Sequence, residues 1–172
     1  TRQLAQQHIF TINIDGTGEK QLTFTGNYNG RGSFSPDGSK IVFGRSTGAN
    51  MVCIMNADGS NIKTISNDST MEYPTFSPDG SKILVIQIHA TYNCDMVVMN
   101  TDGSGQVIIT DTNFRDMRPS FSPDGSKIVF ARKKDASDDY EIYVMNIDGS
   151  NQKQLTDNSV SDENPCFAGK PK

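Results

Sequence analysis

Ser-Pro-Asp-Gly-Ser-Lys-Ile occurs three times in this chain, at residues 35–41, 77–83 and 122–128. The starts of the three copies lie 42 and 45 residues apart. A second motif, Asn-x-Asp-Gly, occurs four times, beginning at Asn13, Asn56, Asn100 and Asn146. Two motifs that recur together at a nearly constant spacing indicate a repeat protein. A chain of 172 residues holds just under four such repeats.

Each repeat is predicted to form four short strands, as the third copy illustrates. Ser122-Pro-Asp-Gly is a tight turn, because proline presets φ at its second position and glycine takes the left-handed position. The β-branched run 127–131 and the run 141–146 are typical of strands, and a polar fourth run follows at 152–156. A period of about 40–45 residues with four strands per repeat is typical of a β-propeller. We therefore expect an all-β fold.

Composition excludes several other classes of protein. The net charge of −4 and the isoelectric point of about 5.1 argue against a nucleic-acid partner. No apolar run approaches the roughly 18 residues of a membrane helix, so we expect no membrane insertion. The three cysteines, Cys53, Cys94 and Cys166, form no Cys-x-x-Cys motif, and the chain has only two histidines. We therefore expect no metal and no cofactor.

The repeat PTFSPDGSKILV and the longer repeat PSFSPDGSKIVFARKKDASDDYEIYVMNIDGSNQKQLT resemble those of TolB-type β-propellers. The resemblance covers about residues 9–168. It implies an extracytoplasmic protein, periplasmic or extracellular, that binds a protein or peptide partner through its propeller surface. Propellers of this family usually have six blades, whereas this chain holds about four.

The chain is expected to be one propeller domain, residues 1–172, with repeat units at about 31–66, 73–110 and 118–156. Within residues 1–23, residues 8–15 match the third strand of a unit and residues 20–23 match the fourth, and residues 164–168 match a first strand. We expect these two segments to share a blade, so that the C-terminal inner strand pairs with the N-terminal blade and closes a four-bladed ring. Two alternatives stay open: a half-ring that forms a homodimer, and a fragment of a longer protein.

The positions just before each first strand differ from repeat to repeat, and a propeller places them at the mouth of its central channel. Their charged and polar side chains would form a ring that binds a peptide tail, a glycan or an ion; alternatively, they only solvate a narrow channel. The candidate binding residues are Arg31, Glu72, Tyr73, Asp116, Arg118, Asp162, Glu163 and Asn164.

No catalytic motif is assigned beside the repeats: the chain has no His-Glu-x-x-His and no phosphate-binding loop. The favoured interpretation is a non-enzymatic binding or scaffold propeller. A carbohydrate-binding or polysaccharide-processing propeller is one alternative, and a structural, self-assembling module is another.

Overall fold

The computed structural model describes residues 6–66, 68–89 and 93–168. Over these ranges the chain is all-β, as predicted, and no described helix is suited to crossing a membrane. The strands, in chain order, are β1 (Phe10–Thr11), β2 (Lys20–Gln21), β3 (Tyr28–Phe34), β4 (Lys40–Ser46), β5 (Asn50–Asn56), β6 (Lys63–Ser66), β7 (Met71–Phe76), β8 (Lys82–Ile88), β9 (Cys94–Asn100), β10 (Val107–Ile108), β11 (Arg115–Phe121), β12 (Lys127–Lys133), β13 (Glu141–Asn146) and β14 (Lys153–Gln154).

Three antiparallel four-stranded meanders follow one another along the chain. We call them blade I (β3–β6), blade II (β7–β10) and blade III (β11–β14). One parallel bridge, between Arg115 and Cys94, joins blade III to blade II. Before blade I, β1 pairs with β2 in an N-terminal hairpin.

The N-terminal hairpin has the local structure of the third and fourth strands of a blade. The Thr23 hydroxyl accepts a hydrogen bond from the Ile9 amide at 2.9 Å. In blade III the Thr156 hydroxyl accepts the same bond from the Ile142 amide, also at 2.9 Å. The hairpin therefore repeats the outer half of a blade. The two inner strands that would complete this blade have no counterpart among the described residues.

The two sequence motifs form a single polar network at one end of each blade. In blade III the Ser122 hydroxyl donates to Asp124 at 2.6 Å, and the Ser126 amide donates to the same carboxylate at 3.1 Å. The Lys127 ammonium then reaches Asn146, the first residue of the second motif, at 3.0 Å. Blades I and II repeat this link with the pairs Lys40–Asn56 and Lys82–Asn100. Local turn chemistry thus joins the second strand of each blade to the third.

The apolar core lies between the blades. Each sheet has two apolar faces, and the faces of successive sheets cover each other, which is how stacked blades remove them from water. One cluster joins blades I and II and contains Val42, Val52, Met71, Phe76, Ile83, Val85, Val97 and Met99. A second joins blades II and III and contains Leu84, Ile86, Met96, Val98, Ile109, Ile128, Phe130, Tyr143 and Met145, with Cys94 at its edge. A third joins the N-terminal hairpin to blade I through Leu22, Ile41, Phe43, Cys53 and Met55.

The glycine of the second motif is required by contact between blades. Gly103 has φ +88, and a β-carbon placed there would collide with the carbonyl oxygen of Ile65 in blade I. Gly149 meets the carbonyl of Ile109 in blade II in the same way, and Gly59 meets Leu22. Each such turn therefore lies directly on the outer strand of the preceding sheet, and no side chain fits between them.

Ring closure within the chain is not observed in the described residues. Residues 164–168, predicted to be an inner strand, have no strand assignment, and β1 is paired only with β2 in the described sheets. Residues 1–5 of the predicted shared blade lie outside the described ranges. Asn164 nevertheless has φ +58, close to the φ +55 of Arg118, which occupies the same repeat position within β11. The tail thus has the backbone bend of a first strand but has no strand assignment.

The close contact of Gly103 with Ile65 predicts that a methyl group added at Gly103 strongly destabilises the fold. Gly103→Ala should lower the free energy of unfolding by about 1–3 kcal/mol more than Gly38→Ala does. Gly38 also has a positive φ, +72, but no described atom lies within 4 Å of the position that a methyl group would take there. Urea unfolding followed by circular dichroism measures both variants. An equal loss of unfolding free energy in the two variants would show that the left-handed backbone alone explains the need for glycine at residue 103.

The polar turns predict a defined acid sensitivity. Hydrogen bonds from Ser122 and Ser126 lower the pKa of Asp124 from 3.8 to about 2. A lowered pKa contributes stability above pH 3.8 that is lost as the pH falls through about 2. Asp124→Asn should therefore have a lower urea midpoint than the wild type near neutral pH, with a difference that narrows as the pH falls through this window. Asp139→Asn, outside the network, is the control, and an Asp124→Asn curve parallel to the wild type would contradict the account.

Candidate functional site

A backbone irregularity recurs in the middle of each first strand. Arg31, Tyr73 and Arg118 occupy the same repeat position and have φ of +56, +57 and +55. At each of them the pairing of the first strand with the second shifts register, which marks a β-bulge. Bulges re-aim side chains, and positive φ is uncommon for residues other than glycine. We call the end of the blades at which these bulges lie the mouth.

At the mouth, an arginine of one blade pairs with a glutamate of the next. Arg31 of blade I forms an ion pair with Glu72 of blade II, and its guanidinium lies 3.5 Å from the centre of the Tyr73 ring. Arg118 of blade III pairs in the same way with Glu163, one residue before the bulge-like Asn164. We call each pair an Arg–Glu clasp. All four side chains are partly exposed.

The clasp is interrupted between blades II and III. The arginine position of blade II holds Tyr73, and the glutamate position of blade III holds Met117. A pocket of about 320 Å³ lies at this break. We call it the mouth cleft; it is lined by Tyr73, Thr75, Arg115, Met117, Arg118, Pro119 and Tyr140. Its described lining thus contains two tyrosines, two arginines and no carboxylate.

The cleft walls are held by contacts within the chain. Arg31 stacks on one face of Tyr73, and Arg118 is fixed by Glu163. The centre of the Tyr140 ring lies near two cations, 5.9 Å from the Arg118 guanidinium and 5.7 Å from the Lys133 ammonium. Rigid aromatic and cationic walls cost little entropy when a ligand binds.

Asp116 lies beneath the cleft and is not accessible to a partner. It is fully buried, and Arg132 donates two hydrogen bonds to it at 2.7 and 2.8 Å. Burial raises the pKa of Asp116, while the hydrogen bonds from Arg132 act in the opposite direction. The Arg132 guanidinium also lies about 5 Å from the rings of Phe114, Phe130 and Tyr143. This pair fixes the start of β11, which carries Arg115 and Arg118.

The remaining predicted site residues lie apart from the mouth cleft. Glu72 serves the clasp between blades I and II. Asp162 accepts a hydrogen bond from Asn158 at 2.8 Å, in the segment that leads to Glu163 and Asn164. Most of the predicted charges are therefore neutralised in ion pairs, whereas Asp162 binds a neutral amide. The cleft is the one break between the complete blades that the structure describes.

Sequence reasoning missed Arg115, Met117 and Tyr140. Tyr140 lies in the loop between β12 and β13, away from the positions before each first strand that supplied the candidate residues. The signal that could have found the cleft is the substitution of tyrosine and methionine at repeat positions that hold arginine and glutamate in the clasps.

The described residues offer no assembled metal site, because they contain no group of three or more histidine, cysteine, aspartate or glutamate side chains placed to hold an ion. Cys53 and Cys94 are buried free thiols, and Cys166 is an exposed free thiol. The carboxylates of the repeated Asp-Gly turns bind neighbouring serine or threonine groups, as Asp58 and Asp102 do.

Comparison of the fold with solved structures shows propellers. The chain has a TM-score of 0.74 and 24% identity with a structure assigned to TolB from Agrobacterium tumefaciens, over 87% of this chain and 56% of that one. With TolB from Acinetobacter baumannii the TM-score is 0.73 and the identity 22%, over 91% of this chain and 39% of that one. The chain has a TolB-like propeller fold. It spans only about half the length of these TolB structures.

A third structure of the same fold is an enzyme. An oligogalacturonate lyase in complex with manganese has a TM-score of 0.68 and 16% identity, over 87% of this chain and 47% of that one. Neither a protein-family model nor a curated protein sequence matches the chain. At these identities the likeness concerns the fold alone, so function has to be argued from the site.

Proposed function

We propose that this chain is a non-enzymatic binding propeller that takes an acidic segment of a protein partner at the mouth cleft. The observation that carries the proposal is the interruption of the Arg–Glu clasp between two complete blades. Where the repeat would place a neutral ion pair, the chain places Tyr73 and Met117 and leaves a pocket of about 320 Å³.

The lining of the cleft favours a peptide over a small polar metabolite. Tyr73 and Tyr140 offer apolar rings with polar ends, and tyrosine is one of the residue types enriched among the hot spots of protein interfaces. Met117 and Pro119 add apolar surface that can adapt to an aliphatic or aromatic side chain. A peptide side chain seated between the rings would supply the buried anchor that protein interfaces use.

Charge at the cleft favours an acidic ligand. Arg115 and Arg118 line it, and the ion pair with Glu163 positions the Arg118 guanidinium before a ligand arrives. A guanidinium has five N–H donors and can bind a carboxylate while it keeps another contact. A carboxylate entering the cleft would meet two cations and no acidic lining residue among those described.

The test begins with peptides selected by phage display against the wild-type chain, synthesised and titrated by fluorescence anisotropy. We expect the selected sequences to carry aspartate or glutamate beside an aromatic or aliphatic residue. Tyr140→Ala should weaken their binding at least tenfold, about 1.4 kcal/mol, because it removes an anchor wall. Val107→Ala, an exposed change on β10 away from the mouth, should leave binding unchanged.

A matched pair of variants separates ligand binding from the clasp. Arg118→Gln and Glu163→Gln both break the same ion pair. Only Arg118→Gln removes a cation from the cleft, so it should weaken binding, whereas Glu163→Gln should keep or strengthen it. Equal losses in the two variants, or selected peptides that bind Tyr140→Ala as tightly as the wild type, would contradict the proposal.

A polysaccharide-binding or polysaccharide-processing role is the second candidate, and the fold likeness to an oligogalacturonate lyase favours it. Tyrosine rings can stack on sugars, and the two arginines could pair with uronate carboxylates. Calorimetric titration with a trigalacturonate distinguishes the candidates. Saturable binding that Tyr140→Ala removes, in the absence of selected peptides, would support this candidate over the first.

The TolB-like fold also supports a proposal about location. We expect the chain to work outside the cytoplasm, in the periplasm or the extracellular space, because its repeats resemble those of propellers that work there.

A further inference from the structure

The N-terminal hairpin exposes a face that complete blades bury. The third strand of every blade carries a methionine at one repeat position, and Met55, Met99 and Met145 are all fully buried against the preceding sheet. At this position β1 is followed by Ile12, which is 59% exposed. Phe10, 49% exposed, likewise stands where Val97 and Tyr143 are buried. We call this surface the front face of the hairpin.

The turn that joins the two strands of the hairpin is also uncovered. Ile14 is fully exposed, while its counterpart Ile147 packs partly against the core between blades II and III. Gly16 is the counterpart of Gly103 and Gly149, whose backbones lie on the outer strand of the preceding sheet. No described atom lies within 4 Å of a β-carbon placed on Gly16. The hairpin therefore has every element of a blade contact except the sheet that it contacts.

The opposite end of the chain exposes the complementary half. Leu22 and Ile109 occupy one position on the outer strands, and both are buried beneath the following blade. Their counterpart after β14 is Leu155, which is 52% exposed. In each blade contact the motif glycine lies on the backbone of this residue, as Gly59 does on Leu22 and Gly149 on Ile109. The chain thus carries both halves of an interface that it builds between its own sheets.

We propose that copies of this chain associate head to tail, with the front face of the hairpin of one copy on the Leu155 edge of blade III in the next. The occupant is a second copy because the same chain supplies both surfaces, and each continues a contact already formed between its blades. An interface between two different surfaces of one chain is heterologous, and it forms a ring where its rotation closes.

This association is independent of the mouth cleft, which lies between blades II and III and shares no lining residue with either surface. Light scattering after gel filtration, over a range of protein concentrations, measures it. We expect the wild-type chain to reach at least twice its 18.8 kDa. Ile12→Asp and Leu155→Asp should each return it to 18.8 kDa, because either places a charge in the apolar contact.

Val107→Asp is the control, because Val107 is exposed on β10 and belongs to neither surface, and it should keep the wild-type mass. A complementation experiment tests the pairing of the two surfaces. Ile12→Lys and Leu155→Glu should each be monomeric alone and should associate when mixed, since one contact then joins lysine to glutamate and the other is unaltered.

Three results would overturn the proposal. A wild-type mass of 18.8 kDa at every concentration would mean that no second copy covers the hairpin. Unchanged masses of both Ile12→Asp and Leu155→Asp would place the association on another surface. Dissociation by Ile12→Asp alone would indicate hairpin-to-hairpin contact. Circular dichroism establishes that each variant is folded, which its exposed position leads us to expect.

Discussion

Packing of each sheet on the one before it is the interaction on which this structure depends. A single four-stranded blade has apolar residues on both faces, as Ile83 and Leu84 show by pointing to different neighbours. Neither face is covered within the blade, so stability comes from the stack, as in other repeat proteins. The motif glycines set the closest approach, because each lies on the backbone of the preceding outer strand.

The residues that recur in every repeat stabilise the stacked sheets. The positions that depart from the repeat form the mouth cleft. Arg31–Glu72 and Arg118–Glu163 show that the mouth positions are by default an ion pair between neighbours. Replacing one such pair by Tyr73 and Met117 removes a contact worth about 0–1 kcal/mol at the surface, which the buried interfaces readily offset. A repeat protein can therefore open a cleft at one junction with little loss of stability.

Sequence was sufficient for the strands of the three complete blades, because their turns are decided locally. Ser-Pro-Asp-Gly and Asn-x-Asp-Gly place proline and glycine where the backbone requires them, and the apolar runs between them have the length of strands. The positions of the mouth residues follow from the same register. Their partners do not, because Arg31 meets Glu72 and Asp116 meets Arg132 only after the sheets have formed. The burial of Asp116 and the position of the loop residue Tyr140 at the cleft likewise depend on tertiary packing. The exposure of the hairpin's front face and of Leu155 depends on which sheets lie next to them.

We propose that the missing clasp makes a binding site, and restoring the clasp tests this proposal most directly. The double variant Tyr73→Arg/Met117→Glu gives blades II and III the pair that the repeat uses elsewhere. Its affinity for the selected acidic peptides should be measured together with its urea midpoint. The account predicts a chain at least as stable as the wild type that no longer binds these peptides. Wild-type affinity in a folded double variant would contradict it.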